Sequence, residues 1–308
     1  GTSYTPHLKG ILRSEFSRQE AGEHYRYTAV AVKFDKETGE TKVLVGRQRV
    51  LIDQPGDYPV SLGSQLIERD LYSGQMTVLA GGGSNPGDGV AANDALINVI
   101  SAVSLAEDGS IYFAEVDSGY IDEPGLDFHS DRVRKLYLDE GELRVKTVAG
   151  VGEGGFSGDY GDTQNGVATQ VMLDVPADAG QGILAMNSSV LFIADWGNAR
   201  IRAVNVSTDY GQPGVEAHLG DIVLQPGEMR TVMGALPSPG PEYGCQREPP
   251  NTYGGYGPQT PVSCPSGVEL VTLCQPDDID CHEEYLLVSD SMNGQVILVS
   301  IADLSVGR

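Results

Sequence analysis

Five histidines, four cysteines and two aspartate-bearing glycine loops are the groups in this 308-residue chain whose types could do chemistry. The histidines, His7, His24, His129, His218 and His282, are scattered, and none falls on a segment that reads as an inner strand. The cysteines, Cys245, Cys264, Cys274 and Cys281, cluster in the last quarter. Cys281-His282 closes an acidic run that starts at Cys274, but neither C-x-x-C-H nor a zinc spacing is present. An even number in loop-rich sequence points instead to two disulfides. Three pairings are open, and spacing favours Cys245–Cys264 with Cys274–Cys281. Asp159, Asp162 and Asn165 in one glycine-rich loop, and Asp88, Asn93 and Asp94 in another, offer hard oxygen donors of the kind calcium takes. Glycine–aspartate turns form equally well without an ion. The expectation is therefore no cofactor, with calcium the one ion that these donors would suit.

Gly150-Val151-Gly152-Glu153-Gly154-Gly155 fits G-x-G-x-x-G after a strand. A dinucleotide site needs a helix next, whose N-terminus meets the pyrophosphate. Turn-forming Phe156-Ser157-Gly158-Asp159-Tyr160-Gly161 follows instead, so these glycines serve a crossing loop. The sequence carries no nucleophile elbow and no phosphate-binding loop.

The elements that would position any site are legible as a repeat. Thr77-Val78-Leu79-Ala80-Gly81, Thr147-Val148-Ala149-Gly150 and Thr231-Val232-Met233-Gly234 are short strands that end on glycine, with the threonines 70 and 84 residues apart. Each closes a block of four apolar strands separated by turns. A four-strand unit that cannot bury its own faces is a propeller blade. The prediction is an all-β chain, a β-propeller of four-stranded antiparallel blades. About four are visible, and the ring is incomplete in this chain. Residues 1–26 read as an N-terminal arm, and 27–308 as the propeller, with blades at about 27–80, 81–149, 150–234 and 235–308. In the last block the sequence gives no fourth strand.

Leu191-Phe192-Ile193-Ala194-Asp195-Trp196-Gly197-Asn198-Ala199-Arg200-Ile201-Arg202 resembles the core of an NHL repeat, as do Thr147-Val148-Ala149-Gly150 and Gly155-Phe156-Ser157-Gly158-Asp159 upstream. The likeness is strongest in the third block and fades in the first and fourth. The fourth keeps Asp290 and its turn, in Ser289-Asp290-Ser291-Met292-Asn293-Gly294, but replaces the arginines. Asp195, Asn198, Arg200, Arg202 and Asp290 read as blade staples: a carboxylate at a strand end takes backbone N–H groups, and an arginine reaches it with paired donors. Propellers of this family usually close about six blades. Some are metal-dependent lyases with histidines gathered round the channel, and that makes an extracellular metal-dependent lyase or hydrolase the alternative reading.

Net charge is -23, which repels nucleic acid and anionic membrane surfaces. No apolar run is long enough for a membrane-spanning helix. Paired cysteines and two glycosylation triplets, at Asn187 and Asn205, favour an extracellular or luminal compartment. Antiparallel order places the second-to-third strand loops and the interblade crossings on one face. The longest crossing, 235–265, is rich in proline and carries Tyr243, Tyr253 and Tyr256, which suit recognition of a protein or a glycan. The functional expectation is a non-catalytic binding or assembly module, partnered by a protein, a glycan, copies of itself or other subunits. A structural subunit of a fibre or surface layer is a further alternative.

Overall fold

The computed structural model describes residues 22–34, 41–52, 60–106, 108–116, 131–152, 166–175, 184–209, 211–234, 255–256, 260–273 and 283–307. Four antiparallel sheets stand as the blades of a β-propeller whose ring is not closed. Blade 1 is β1 (Gly22–Phe34), β2 (Thr41–Ile52), β3 (Val60–Asp70) and β4 (Met76–Gly81) in simple meander order. Blade 2 runs outward through β6 (Val99–Leu105), β7 (Ile111–Val116), β8 (Arg132–Asp139) and β9 (Glu142–Ala149), and a two-residue β5 (Val90–Ala91) caps its outer edge. Blade 3 is β10 (Leu184–Met186), β11 (Val190–Asp195), β12 (Arg200–Asn205) and β15 (Met229–Met233). Between its last two strands lies a separate hairpin, β13 (Ala217–Leu219) with β14 (Ile222–Leu224). Blade 4 is β17 (Pro265–Thr272), β18 (Glu284–Asp290), β19 (Gln295–Ser300) and β20 (Ser305–Gly307), edged by β16 (Gly255–Tyr256).

Inner strands touch their successors in chain order: β1 meets β6, β6 meets β10, and β10 meets β17. Alternating apolar residues fill the spaces between blades. Ala29, Leu44, Leu66 and Ala80 of blade 1 pack on Ile100, Phe113, Leu136 and Val145 of blade 2. Tyr112, Ala114 and Val133, on the opposite face of blade 2, join a larger core with blades 3 and 4. Blade 3 is covered on both faces, so β11 and β12 are buried at every position. That is why Val190-Leu191-Phe192-Ile193-Ala194 is a continuous apolar run where exposed strands alternate.

The glycine that ends the fourth strand has a structural cause. In blades 1, 2 and 3 the fourth strand carries one unpaired residue, Leu79, Val148 and Val232, which makes a bulge at the same place. The glycine that follows, Gly81, Gly150 and Gly234, has φ of +87, +88 and +89. A Cβ there would lie closer than 3.0 Å to the backbone oxygens of Ser64, Asp131 and Ala199 respectively. Only glycine satisfies both constraints. Alignment on the glycines gives spacings of 69 and 84 residues, and it corrects the threonine count. Ile67 pairs with Val78, whereas Arg134 and Arg202 pair with Thr147 and Thr231, so Val78 and not Thr77 is the blade 1 equivalent.

Three other expectations change. Residues 22–26 belong to β1, not to an arm, because they pair with 48–52 of β2 in a ribbon that continues through 60–64 of β3. His24 therefore does lie on an inner strand, opposite Val50. Blade 4 has its fourth strand after all: Val306 pairs with Val299 and Gly307 with Leu298. Three residues without a long apolar run leave little signal in sequence.

Candidate functional site

One carboxylate recurs at the end of the second strand of blades 2, 3 and 4. Glu115 accepts the backbone N–H of Asn98 at 3.0 Å, Asp195 that of Asp174 at 2.8 Å, and Asp290 that of Ser263 at 3.0 Å. Each bond ties a strand end to the chain entering its own blade from the crossing. Asn198 and Asn293, three residues on, donate their amides to Asp195 and Asp290, both at 2.8 Å. Arg202 Nε reaches Asp195 at 2.9 Å and its Nη1 reaches Thr231 Oγ1 at 3.2 Å. In blade 2, Glu115 meets Arg132 Nε at 3.1 Å and Arg134 Nη1 at 3.4 Å. Arg200 turns instead to the Asn198 carbonyl at 3.1 Å. Asp195, Arg202, Glu115, Arg134 and Asp290 are all buried, and their bonds run within their own blades and to the chain that enters them.

A cleft of about 1070 Å³ opens on the flank between blades 2 and 3. One wall is the face of blade 2 on which Lys135 pairs with Lys146, with Tyr112, buried and opposite Lys135 on the next strand, behind it. Tyr137 and Val148 flank the lysines on the same face. The other wall is 205–209 with Gln212 and Pro213, from the insertion after β12. Val167, Thr169 and Gln170, at the short 3₁₀ turn Ala168–Gln170, complete it.

Two ammonium groups directly opposite on adjacent strands repel each other. The site offsets this in two ways. Each lysine rides over an aromatic ring at 5.3 Å, Lys135 over Tyr112 and Lys146 over Tyr137. Lys146 also pairs with Asp209 at 2.6 Å, which fastens the blade 3 insertion to blade 2. Lys135 makes no ion pair among the described residues. Burial pushes its pKa down, Asp108 pulls it back up, Lys146 adds to the fall, and Asp209 opposes it. Asp108 is occupied by its own turn, accepting Ser110 N at 2.8 Å and Ser110 Oγ at 3.0 Å. Burial raises the Tyr112 hydroxyl pKa, and the negative charges of Asp108 and Asp209 add to it, so the ring stays neutral beneath Lys135.

Sequence reading missed Lys135, Lys146 and Asp209. A signal existed: the chain has six lysines, and these are the only two beyond residue 42. Of the residues singled out from sequence, Tyr243, Tyr253, Asp159, Asp162, Asn165, Cys245, Cys274, Cys281, His7, His129 and His282 lie outside the described residues. The backbone of Tyr256 forms β16 and so belongs to a strand edge, not to a free loop. Cys264 is buried and disulfide-bonded. Asp88 accepts from Thr147 N at 2.9 Å and Thr147 Oγ1 at 3.0 Å, and it meets Arg134 at 3.4 Å, so it clamps the crossing to β9. Among the described residues no group of three His, Cys, Asp or Glu side chains is placed to hold a metal ion. Asn205 is corrected as a glycan acceptor: it is fully buried, and its amide donates to Val215 O at 2.8 Å and Leu224 O at 2.9 Å. Asn187 is half-buried at a turn, with its amide 3.4 Å from Glu284.

No protein-family model matches this chain, and neither does any curated protein. Solved structures resemble it, among them two of low identity. One is an auxiliary nutrient binding protein from Bacteroides ovatus, 11% identical over 84% of this chain and 53% of the other, with a TM-score of 0.32. This chain thus spans about half the length of that protein. The other carries the provisional name gluconolactonase and is 12% identical over 97% of this chain and 94% of its own, also with a TM-score of 0.32. Likeness of this degree brings no ligand or activity to this chain. Among the described residues no helix is long and apolar enough to cross a membrane.

Proposed function

We propose that this chain is an NHL-like propeller module of an extracellular or cell-surface protein, and that it binds a polar partner, a protein or a glycan, without catalysis. The observation that carries this reading is the blade 2/3 cleft, a concave site of ligand size on a rigid sheet, lined by lysine, tyrosine, threonine and glutamine side chains. Its cationic groups are held in place by rings and by one cross-blade ion pair, so the site is preorganised. The disulfide at Cys264 supports an oxidising compartment. The carboxylate tie repeated in blades 2, 3 and 4 supports the NHL likeness.

The test is a binding screen of the intact chain against saccharides and peptides, run in parallel with Thr169→Trp. Thr169 is exposed on the cleft wall, so an indole there intrudes into the cleft without touching the core. Binding that is lost in this variant supports the reading. A panel that yields no binder, or binders indifferent to the indole, refutes it.

A further inference from the structure

The ligand chemistry of the cleft can be taken further, on the strength of the binding reading above. We propose that the blade 2/3 cleft is a site for a saccharide bearing a single carboxylate, which Lys135 receives while Thr169, Gln170 and Gln212 meet the sugar hydroxyls. Charge is the first argument. In a chain of net charge -23, this wall sets two ammonium groups side by side, and the carboxylate of Asp209 on the opposite wall is already spent on Lys146. The other two nearby carboxylates are committed elsewhere, Asp108 to Ser110 and Asp88 to Thr147 and Arg134. Lys135 is thus the cation that still lacks a counter-ion among the described residues.

Long-range repulsion from the remaining charge sets a limit on the ligand: one acidic group is tolerated, and a polyanion is repelled. The remaining lining supplies the second argument. Thr169, Gln170 and Gln212 are exposed and spend no side-chain hydrogen bond among the described residues, so a hydroxyl and two amides project into the cleft. Tyr137 adds an aromatic side chain whose ring carries Lys146. Hydroxyl-rich, ring-shaped ligands match such a set. An extended peptide fits less well, because the β9 edge it would pair with is closed. β5 occupies Arg144 and Val145 there, and the Asp88 carboxylate takes the Thr147 N–H.

The experiment is a titration of the full chain, followed by backbone amide NMR shifts and calorimetry. The probes are an aldobiouronic acid (one uronate joined to one neutral sugar), its carboxyl-reduced counterpart, acetate, and an acidic hexapeptide. The acid should bind at the cleft about 10- to 100-fold more tightly than its carboxyl-reduced form, the range that one charge-assisted hydrogen bond supplies. Lys135→Met, which keeps the stem over Tyr112, should erase that difference, and Lys135→Arg should restore most of it. Equal affinity for the acid and the reduced form, or a preference that survives Lys135→Met, overturns the assignment yet leaves the cleft a binding site. Tighter binding of the hexapeptide shows the partner to be a protein and also overturns it. Shifts that map away from 135–148 and 205–213, or no shift with any probe, overturn both this inference and the reading beneath it.

Discussion

Replacing Glu115 with glutamine isolates the charge at the centre of blade 2. Glutamine keeps an oxygen for the Asn98 N–H, bonded at 3.0 Å, and changes the shape little. What it removes is the anion between two guanidinium groups, 3.1 Å from Arg132 and 3.4 Å from Arg134. At an effective dielectric of about 20, each contact carries about 5 kcal/mol of Coulomb energy before desolvation. Arg132 is 16% exposed and partly screened, whereas Arg134 is fully buried. Asp88 still touches Arg134, so the loss falls well short of the gross sum. Breaking one partner of a buried pair costs about 3–5 kcal/mol, and that is the expected destabilisation for Glu115→Gln. Arg134→Met costs a similar amount, because it also leaves the carbonyls of Gly87 and Leu96 without their donor. The double variant should be more stable than the sum of the two by about 2 kcal/mol, since the attraction between Glu115 and Arg134 is then lost once and not counted twice. Equilibrium urea unfolding read by Trp196, the sole tryptophan, measures all four corners of the cycle. Additivity within about 0.5 kcal/mol would refute the idea that Glu115 acts through its charge on Arg134.

Three further outcomes are expected. Gly150→Ala should cost at least about 3 kcal/mol, from left-handed strain plus collision with Asp131 O, whereas Gly109→Ala, also at positive φ but with open space around it, should cost about 1 kcal/mol; equal losses in urea would remove the collision from the explanation. Burial first, then the nearby Asp195 charge, raises the Asp174 pKa above its ordinary 3.8, so ionising it weighs on the folded state as pH climbs through the folded value. Asp174→Asn should therefore raise Tm at pH 7 and leave it unchanged near pH 3, and an equal shift at both pH values would sink that account. Expression through a secretory pathway should place glycan on Asn187 and none on Asn205, read by peptide mass spectrometry; a modified Asn205 in folded protein would contradict its two buried amide bonds.

Much of the blade plan was open to reading because it is local. Ile111-Tyr112-Phe113-Ala114 and Leu191-Phe192-Ile193-Ala194 announce central strands by their apolar content, and the recurrent glycine marks a conformation no other residue takes comfortably. The Asp195–Asn198 turn was legible for the same reason, since donor and acceptor are three residues apart. Blade 1 misled the count by one, because Thr77 and Val78 look interchangeable until the bulge at Leu79 fixes which of them faces Ile67. β20 was hidden because three residues carry no period.

The amino-acid order thus determined an all-β repeat, the blade-ending glycines and a strongly acidic surface, all of which follow from residue type and short-range pattern. The folded arrangement alone decided where the cleft lies. Lys135 and Lys146 become neighbours through strand register, and Asp209 reaches Lys146 across 63 positions of chain. Tertiary structure likewise buried Asn205, whose triplet reads identically whether its amide faces solvent or two carbonyls. Contacts between residues far apart in sequence depend on how sheets stack, and no stretch of a single strand records that.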